Sequence, residues 1–331
     1  MQTVSKLKML TRTFGKTAQK ISEIGHGTWS MGNMWGAKDD AEAIRALTRS
    51  LDLGVTFIDT AYVYGDGHSE KLIAKTFKET GRKVFVATKV PPKNFQWPAR
   101  AQVPVNEAFP EDHIIKFTET SLKNLNTDCL DLQQLHVWHD NWLTQNDWPV
   151  VIEKLKRSGK IRFFGISIND NAPDTALKMV ESGLIDSVQV IYNIFDQQPE
   201  EKLFPLCQKM KVGVIVRVPL DEGSLTGNLR NDTVFSKGDW RSNYFTKERL
   251  PETVERVENL KFLIRDEIKT MTAAALKFCL SHPAVSTVIP GMRKVSHVEE
   301  NVTVSDGKLL DTKELQDLKK HAWPRNFYPV Y

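Results

Sequence analysis

The stretch FIDTAYVYGDG, residues 57–67, decides the fold together with two stretches that follow it. It places an acid, Asp59, directly after an apolar pair and a tyrosine, Tyr64, five residues later. The run VFVATKV at residues 84–90 then carries Lys89 near its end, and LDLQQLH at residues 130–136 ends on His136. Each run is typical of a strand that is buried on both faces of a parallel sheet, and each brings a polar side chain to the point where the strand ends.

Similar runs alternate with helical patterns through nearly the whole chain, and there are eight of them. They are Ile24–Trp29, Phe57–Ala61, Val84–Val90, Cys129–Val137, Ile161–Ile168, Ser187–Asn193, Gly213–Leu220 and Val285–Pro290. Eight strand–helix units predict either an open doubly wound sheet or a closed (β/α)8 TIM barrel. Because the sequence has neither the G-x-G-x-x-G fingerprint nor a P-loop, it favours the barrel.

The pattern also predicts helix ends and two additions to the barrel. We expect helices from Asp39 to Gly54, from Ser69 to Gly81, from Pro110, from Trp148 to Gly159 and from Pro173 to Gly183. Residues 1–23 predict a hairpin around Gly15 that covers the bottom of the barrel. The segment Asp221–Pro251 after the seventh strand predicts a long loop at the catalytic face. No linker divides the chain, so we expect residues 1–331 to form a single domain.

Composition excludes several classes of protein. Lys and Arg number 45 and Asp and Glu 41, and the formal net charge of +4 is too small to favour nucleic-acid binding. Three cysteines without C-x-x-C spacing argue against a disulfide framework and indicate a reducing compartment. No apolar run approaches the ~18 residues of a membrane span. We therefore expect a cytoplasmic protein without a membrane or nucleic-acid partner, and leave its oligomeric state open.

The polar residues at the strand ends have ordinary structural explanations when each is considered alone. Consecutive barrel strands, however, bring their carboxyl ends together, so Asp59, Tyr64, Lys89 and His136 should converge. Free tyrosine titrates near ~10, and a nearby ammonium group lowers that pKa, while a carboxylate keeps the lysine charged. The set therefore predicts a proton donor that acts on a carbonyl oxygen.

These residues resemble the motifs of the aldo-keto reductase superfamily. Further matches to the family follow in the expected order: Ser69-Glu70, Ile166-Ser167, Gln189, Pro219-Leu220 and Ile289-Pro290-Gly291-x-Arg293. The resemblance covers about residues 9–303. It implies a (β/α)8 barrel and an NADPH-dependent reductase of aldehydes and ketones that works without a metal. By that resemblance Tyr64 is the proton donor, Lys89 and Asp59 tune it, and His136 orients the carbonyl.

The resemblance also implies a cofactor site for NADP(H). Its candidate residues are Gly27, Thr28, Trp29, Ser167, Gln189, Arg217, Pro219, Leu220, Leu225, Gly227, Gly291, Arg293, His297, Glu300 and Asn301. Ser167 and Gln189 would bind the nicotinamide carboxamide, and the segment Pro219–Gly227 would hold the pyrophosphate. Arg293 near a helix start favours a 2′-phosphate, and therefore NADPH over NADH.

Two positions depart from the family pattern. Many members have Ser-Asn after the fifth strand, whereas Ile168 separates Ser167 from Asn169 here, which puts a second carboxamide contact in doubt. An aromatic residue often precedes the seventh strand's Pro-Leu and stacks on nicotinamide. Arg217 stands in that stretch, and its planar guanidinium can stack in the same way.

Aromatic residues crowd the loops expected over the catalytic face. The candidate walls of a substrate pocket for a small-molecule carbonyl compound are Trp29, Trp35, Tyr62, Trp97, Trp138 and Trp240. His136 and His139 have the spacing of two metal ligands, but no third ligand is evident, so we expect no metal site.

Two other classes of function compete with a reductase. A regulatory barrel could bind the cofactor with little turnover, as some members of the family modulate channels. A metal- or carboxylate-dependent hydrolase or isomerase would need paired carboxylates or metal ligands at the strand ends, and the sequence does not supply them.

Overall fold

Strands form in every run that the sequence predicts. The computed structural model describes residues 9–32, 39–145 and 148–328. The strands in these ranges are β1 Thr11–Thr13, β2 Lys20–Ser22, β3 His26–Gly27, β4 Phe57–Asp59, β5 Phe85–Val90, β6 Leu130–Leu135, β7 Ile161–Ser167, β8 Ser187–Ile191, β9 Gly213–Arg217 and β10 Val285–Val288. β1 and β2 form an antiparallel hairpin, and β3 to β10 form a parallel sheet.

The parallel sheet closes on itself. β3 to β10 lie side by side in chain order. Parallel bridges pair Ile24 with Val288 and Gly27 with Gly291, and so join the first strand to the last. The amide of Gly25 also donates to the carbonyl of Val288 at 2.8 Å. The predicted (β/α)8 barrel is therefore confirmed.

Helices surround the barrel at the predicted places. In the described part of the chain they are α1 Asp40–Asp52, α2 His68–Thr80, α3 Val105–Ala108, α4 Glu111–Leu125, α5 Trp148–Arg157, α6 Leu177–Ser182, α7 Leu203–Met210, α8 Arg241–Tyr244, α9 Arg249–Glu258, α10 Met271–Ser281, α11 Val295–Val302 and α12 Thr312–Leu318. The Asp39 carboxylate accepts the amide of Glu42 and begins α1. Gly81 and Gly183 end α2 and α6 with positive φ angles of 67° and 74°.

The structure differs from the predicted elements in two places. A 3₁₀ turn, Pro173–Ala176, precedes α6, so the helix proper begins after that turn. The segment that was expected to be a long loop, Asp221–Pro251, contains a 3₁₀ turn, all of α8 and the start of α9. Its glycine and serine content indicated a loop, but apolar residues such as Leu250 pack inward and stabilise these helices.

The hairpin covers the amino-terminal end of the barrel, as expected. Phe14 and Ile21 pack with the inward-facing side chains Phe57, Phe85 and Leu132 in one buried cluster. A Cβ at Gly213 would lie 2.5 Å from the Phe14 ring, so this position must be glycine for the ring to enter. Apolar side chains thus fill one end of the barrel, and polar groups occupy the other.

Candidate active site

The carboxyl ends of β4 and β5 bring together the acid, the lysine and the tyrosine. The Lys89 ammonium donates to Asp59 Oδ1 at 2.6 Å, to the Thr60 carbonyl at 2.8 Å and to the Tyr64 hydroxyl oxygen at 3.3 Å. The side chain of Lys89 is 0% exposed and that of Asp59 is 3% exposed. All three ammonium hydrogens are therefore used, and the amine is fixed beside the phenol.

Local sequence determines these positions. Asp59 is the last residue of β4 and lies opposite Ala87 of β5, so Lys89, two residues further along, projects from the same face. Tyr64 follows in a tight turn in which its amide donates to the Ala61 carbonyl at 3.1 Å. A Cβ at Gly32 would lie 2.7 Å from the Tyr64 backbone, and glycine there allows the close approach.

Burial determines the net pKa shift of Tyr64. Desolvation raises its pKa, and Lys89 lowers it by a smaller amount, so the pKa lies above 10. This corrects the expectation that the lysine would lower the phenol's pKa: Lys89 acts in the expected direction, but burial outweighs it. For Lys89 the balance is the opposite. Burial lowers its pKa, but Asp59 and Tyr64 raise it by more, so the net shift is upward.

His136 faces the same group of residues. Its ring lies 6.0 Å from the Tyr64 ring in an edge-to-face contact. Burial, followed by the positive charges of Lys89 and Arg217, lowers the His136 pKa well below 6.5, so the imidazole is neutral at pH 7. Its Nδ1 is buried and has no hydrogen-bond partner. A neutral imidazole can donate one hydrogen bond to a substrate oxygen.

Two of the predicted carboxamide-binding residues are adjacent in the sheet. Ser167 and Gln189 are paired across β7 and β8. Gln189 Nε2 donates to Asp59 Oδ2 at 2.7 Å, which places its amide between the acid and the end of β8. Asp59 therefore uses one oxygen for Lys89 and the other for Gln189.

Asn169 binds a neighbouring loop. Its Oδ1 accepts the Ala99 amide at 2.8 Å, and its Nδ2 donates to the Ala99 carbonyl at 3.0 Å. These bonds hold the segment that contains Trp97, whose ring meets His136 edge to face at 5.8 Å. Both polar atoms of the Asn169 side-chain amide, which follows Ile168, are therefore bonded to the backbone of Ala99.

Arg217 ends β9 close to these groups. Its Nη2 donates to Asp170 Oδ1 at 2.6 Å and to the Ile168 carbonyl at 2.9 Å. Burial lowers the pKa of Arg217, but the other contributions, of which Asp170 is the largest, raise it by more, so the guanidinium remains charged. Its Nε is buried without a partner.

The segment after β9, residues 218–227, has a strained backbone. Val218, Asp221 and Glu222 have φ angles of 53°, 44° and 53°, in the left-handed region that non-glycine residues seldom adopt. Strain of this kind is concentrated at functional sites. The predicted cofactor residues in the segment are buried or partly buried, with Pro219 and Leu225 buried, Leu220 packed against the core, and Gly227 at a φ angle of 74°.

The residues predicted for the ribose and adenosine lie at the junction of β3 and β10. Gly27 pairs with Gly291, and the Thr28 amide and hydroxyl both bind the Asp59 carbonyl, at 3.1 and 2.8 Å. Thr28 therefore holds the end of β4. Arg293 lies two residues before α11, whose one face carries His297, Glu300 and Asn301.

An acid that sequence reasoning missed also reaches α11. Glu42 of α1 accepts the amide of Val295, the first residue of α11, at 2.9 Å. The pKa of Glu42 is lowered by this bond, then by Arg45 and, more weakly, by Lys294. A carboxylate therefore occupies the helix end that the sequence assigned to a 2′-phosphate.

Three of the predicted pocket aromatics lie near the site. Trp97 contacts His136, and Trp29 contacts Trp240 edge to face at 5.3 Å. All three are partly exposed. Trp35 lies outside the described residues.

Two other pocket predictions need correction. Trp138 is fully buried and packs against Trp142 and Trp148, so it belongs to the core between barrel and helices. Tyr62 packs edge to face on Phe117 of α4 at 4.7 Å, towards the helix layer. Both residues lie beyond the end of a strand, since β6 ends at Leu135 and β4 ends at Asp59. The alternation of a strand therefore no longer determines the direction of their side chains.

In residues 9–32, 39–145 and 148–328, no group of three or more His, Cys, Asp or Glu side chains could hold a metal ion. The helices of this same part of the chain include none that is long and apolar enough to cross a bilayer.

Comparisons with known proteins agree with this architecture. Residues 23–322 match the family model described as the Aldo/keto reductase family. The chain is 31% identical to the aldo-keto reductase YhdN of Bacillus subtilis (strain 168), over 91% of this chain and 90% of that protein. It is 29% identical to yakc, an aldo-keto reductase of Schizosaccharomyces pombe with NADP(+) in its name, over 94% and 92%. The structure of the glycerol dehydrogenase AKR11B4 from Gluconobacter oxydans superimposes with a TM-score of 0.76 at 27% identity, over 97% of this chain and 98% of that one.

Proposed function

Because the chain belongs to the aldo/keto reductase family, we propose that it is an NADPH-dependent oxidoreductase that reduces aldehyde and ketone carbonyls to alcohols. One observation carries the proposal: the Tyr64 hydroxyl lies 3.3 Å from a fully buried Lys89 ammonium that is paired with Asp59. This arrangement suits a phenol that gives up a proton and is then stabilised as a phenolate.

Each polar group has a separate task in this proposal. Tyr64 donates its proton to the carbonyl oxygen as negative charge develops there. Lys89 stabilises the phenolate that remains, and Asp59 keeps the amine protonated. His136, held neutral by its surroundings, donates a hydrogen bond to the same oxygen and orients the carbonyl.

The residues around the site fit a nicotinamide dinucleotide, which when bound supplies the hydride. Buried polar atoms without partners, the Ser30 Oγ, Arg217 Nε and Trp240 Nε1 atoms, occur at the carboxyl end of the barrel, where a polar ligand could pair with them. Ser167 and Gln189 would hold the carboxamide, and the Arg217 guanidinium would lie against the ring. The strained segment after β9 would hold the pyrophosphate.

The preference for NADPH rests on the charges before α11. Arg293 and Lys294 precede the helix, whose amino-terminal end also favours an anion. Glu42 opposes this preference because its carboxylate already accepts the Val295 amide. Asp239 also lies close enough to Arg293 for the guanidinium to lower its pKa. The preference therefore rests on the guanidinium geometry of Arg293 and on the helix end, which both suit a phosphate dianion, and not on a surplus of positive charge.

The test is a panel of carbonyl compounds, including 4-nitrobenzaldehyde, measured by loss of the reduced cofactor's absorbance with NADPH and with NADH. Tyr64→Phe should reduce kcat by about 10²–10⁴-fold. Tyr62→Phe is the matched control, because its ring packs on α4, and it should keep wild-type rates. Cofactor binding without turnover of any carbonyl would instead favour the regulatory barrel, and full activity of Tyr64→Phe would refute the proposed proton donor.

A further inference from the structure

The segment Trp323–Tyr328, called the strap below, crosses the strained segment after β9. The Arg325 guanidinium donates through Nη2 to Asp221 Oδ1 at 2.5 Å and through Nη1 to both oxygens of Asp196 at 3.0 Å. The Tyr328 hydroxyl donates to Glu222 Oε1 at 2.5 Å. The strap therefore contacts both consecutive acids of the strained segment.

Asp221 is an acid in an unusually enclosed position. Its side chain is 1% exposed and that of Arg325 is 7% exposed. Tyr244 OH and Ser224 Oγ also donate to its carboxylate, at 2.8 and 2.6 Å. Asp221 is thus paired with a guanidinium 104 positions away in the chain, which it shares with Asp196.

Glu222 is neutralised in a different way. Burial raises its pKa to about 8, so most of the carboxyl groups are protonated at pH 7. Tyr328 lies directly against this carboxyl group through its hydroxyl bond, and its ring stacks on Trp240 at 5.9 Å. The hydroxyl bond by itself lowers the Glu222 pKa, but by less than burial raises it. Without the strap, Glu222 would be more solvated and its charged form would be favoured.

These acids create an electrostatic problem for the proposed cofactor site. A pyrophosphate carries negative charge, and two ionised carboxylates in the segment that holds it would repel it. At the effective dielectric constant of a protein surface, one unscreened like charge within ~8 Å weakens binding by at least about tenfold. Packing alone does not require an arginine at position 325, because an apolar residue could hold the strap without the cost of desolvating an ion.

We propose that the strap is part of the cofactor site, with Arg325 and Tyr328 as positioning residues that offset or enclose Asp221 and Glu222 so that the segment can accept the pyrophosphate. The inference rests on the proposed function. It assigns the strap a role in dinucleotide affinity that is separate from its packing.

The experiment measures dissociation constants for NADPH by tryptophan fluorescence, with 2′-AMP as a competing probe that lacks the pyrophosphate. Arg325→Met should weaken NADPH binding at least about tenfold and leave 2′-AMP binding within about twofold. The double variant Arg325→Met/Asp221→Asn should recover part of the NADPH affinity, because it removes the Asp221 charge. Asp196 loses the same guanidinium in both variants, so its effect cancels in the comparison between them. Arg325→Lys should keep it largely intact.

The double variant separates an electrostatic role from a structural one. If Arg325→Met and the double variant bind NADPH equally weakly, the strap acts only as packing and the inference is overturned. The same holds if Arg325→Met binds like wild type. Should Arg325→Met fail to fold, Tyr328→Ala and Tyr328→Ala/Glu222→Gln give the same comparison at the second acid. A wild-type protein that binds neither NADPH nor NADH would overturn the proposed function itself.

Discussion

Replacing Asp59 with asparagine should leave an unbalanced charge inside the barrel. The variant keeps the size of the side chain and an oxygen acceptor for Lys89, but it removes the negative charge that compensates for burial of the ammonium. Breaking a buried ion pair by removing one partner costs about 3–5 kcal/mol. Because Lys89 keeps the Thr60 carbonyl and the Tyr64 hydroxyl as partners, we expect the lower end, about 3 kcal/mol.

The loss of stability should depend on pH in a defined direction. In the wild type the folded-state pKa of Lys89 is raised, so its contribution is present below the unfolded pKa of ~10.4 and is lost only as the pH rises through the folded value. In Asp59→Asn, only Tyr64 still opposes the effect of burial, so we expect the folded-state pKa of Lys89 to fall below that of the unfolded chain. The unfolded state then binds more protons, so the variant gains stability as the pH rises towards ~10.

Thermal denaturation followed by circular dichroism measures both effects. For a chain of 331 residues, about 3 kcal/mol corresponds to a fall in Tm of about 4 °C near neutral pH. The kcat should fall by about 10²-fold, because Lys89 without its Asp59 partner is less firmly held and less favourably protonated beside the Tyr64 phenolate. Asp52→Asn is the control, since its ion pair with Arg82 is exposed and contributes only about 0–1 kcal/mol. An Asp59→Asn variant with the wild-type Tm and an unchanged pH profile would refute a charged Lys89–Asp59 pair.

Three further variants test separate contacts. Arg217→Ala should weaken NADPH binding about tenfold, as titrated by fluorescence, because a planar cation is lost; unchanged affinity would exclude a cofactor-facing role. Asn169→Ala removes the two bonds to Ala99. It should therefore raise the KM for the carbonyl more than about fivefold in steady-state kinetics and leave the NADPH dissociation constant, measured by titration, unchanged. The reverse pattern would indicate that Asn169 binds the carboxamide. Glu42→Gln should increase the NADPH:NADH ratio of kcat/KM about fivefold, because it removes a negative charge at the start of α11, next to Lys294. An unchanged ratio would place the 2′-phosphate elsewhere.

The strands and the four catalytic candidates could be predicted because they depend on short-range pattern. A polar residue at the end of an apolar run lies at the carboxyl end of a barrel strand. Asp59, Lys89 and His136 therefore lie at the same end of the barrel, whatever the conformation of the loops. Tyr64 is close enough to Asp59 in the chain for a tight turn to bring it back. Pattern alone therefore predicts which groups meet.

The sign of a pKa shift and the direction of loop side chains could not be predicted in this way. The lysine beside Tyr64 was expected to decide its pKa, but the shift depends on how much water the fold excludes. Trp138 comes only two residues after His136, yet it points into the core, because the chain has left the strand. Arg325 and Asp221 are 104 positions apart, and no local signal links them.

The two oxygens of Asp59 connect the parts of the site that the sequence treats separately. One accepts the Lys89 ammonium and the other accepts the Gln189 amide, so β5 and β8 are joined through a single carboxylate of β4. Gln189 therefore fixes the position of the Asp59 carboxylate, which raises the pKa of Lys89 beside Tyr64. Because the same Gln189 lies next to Ser167, a ligand held by this pair would contact the network that adjusts the phenol.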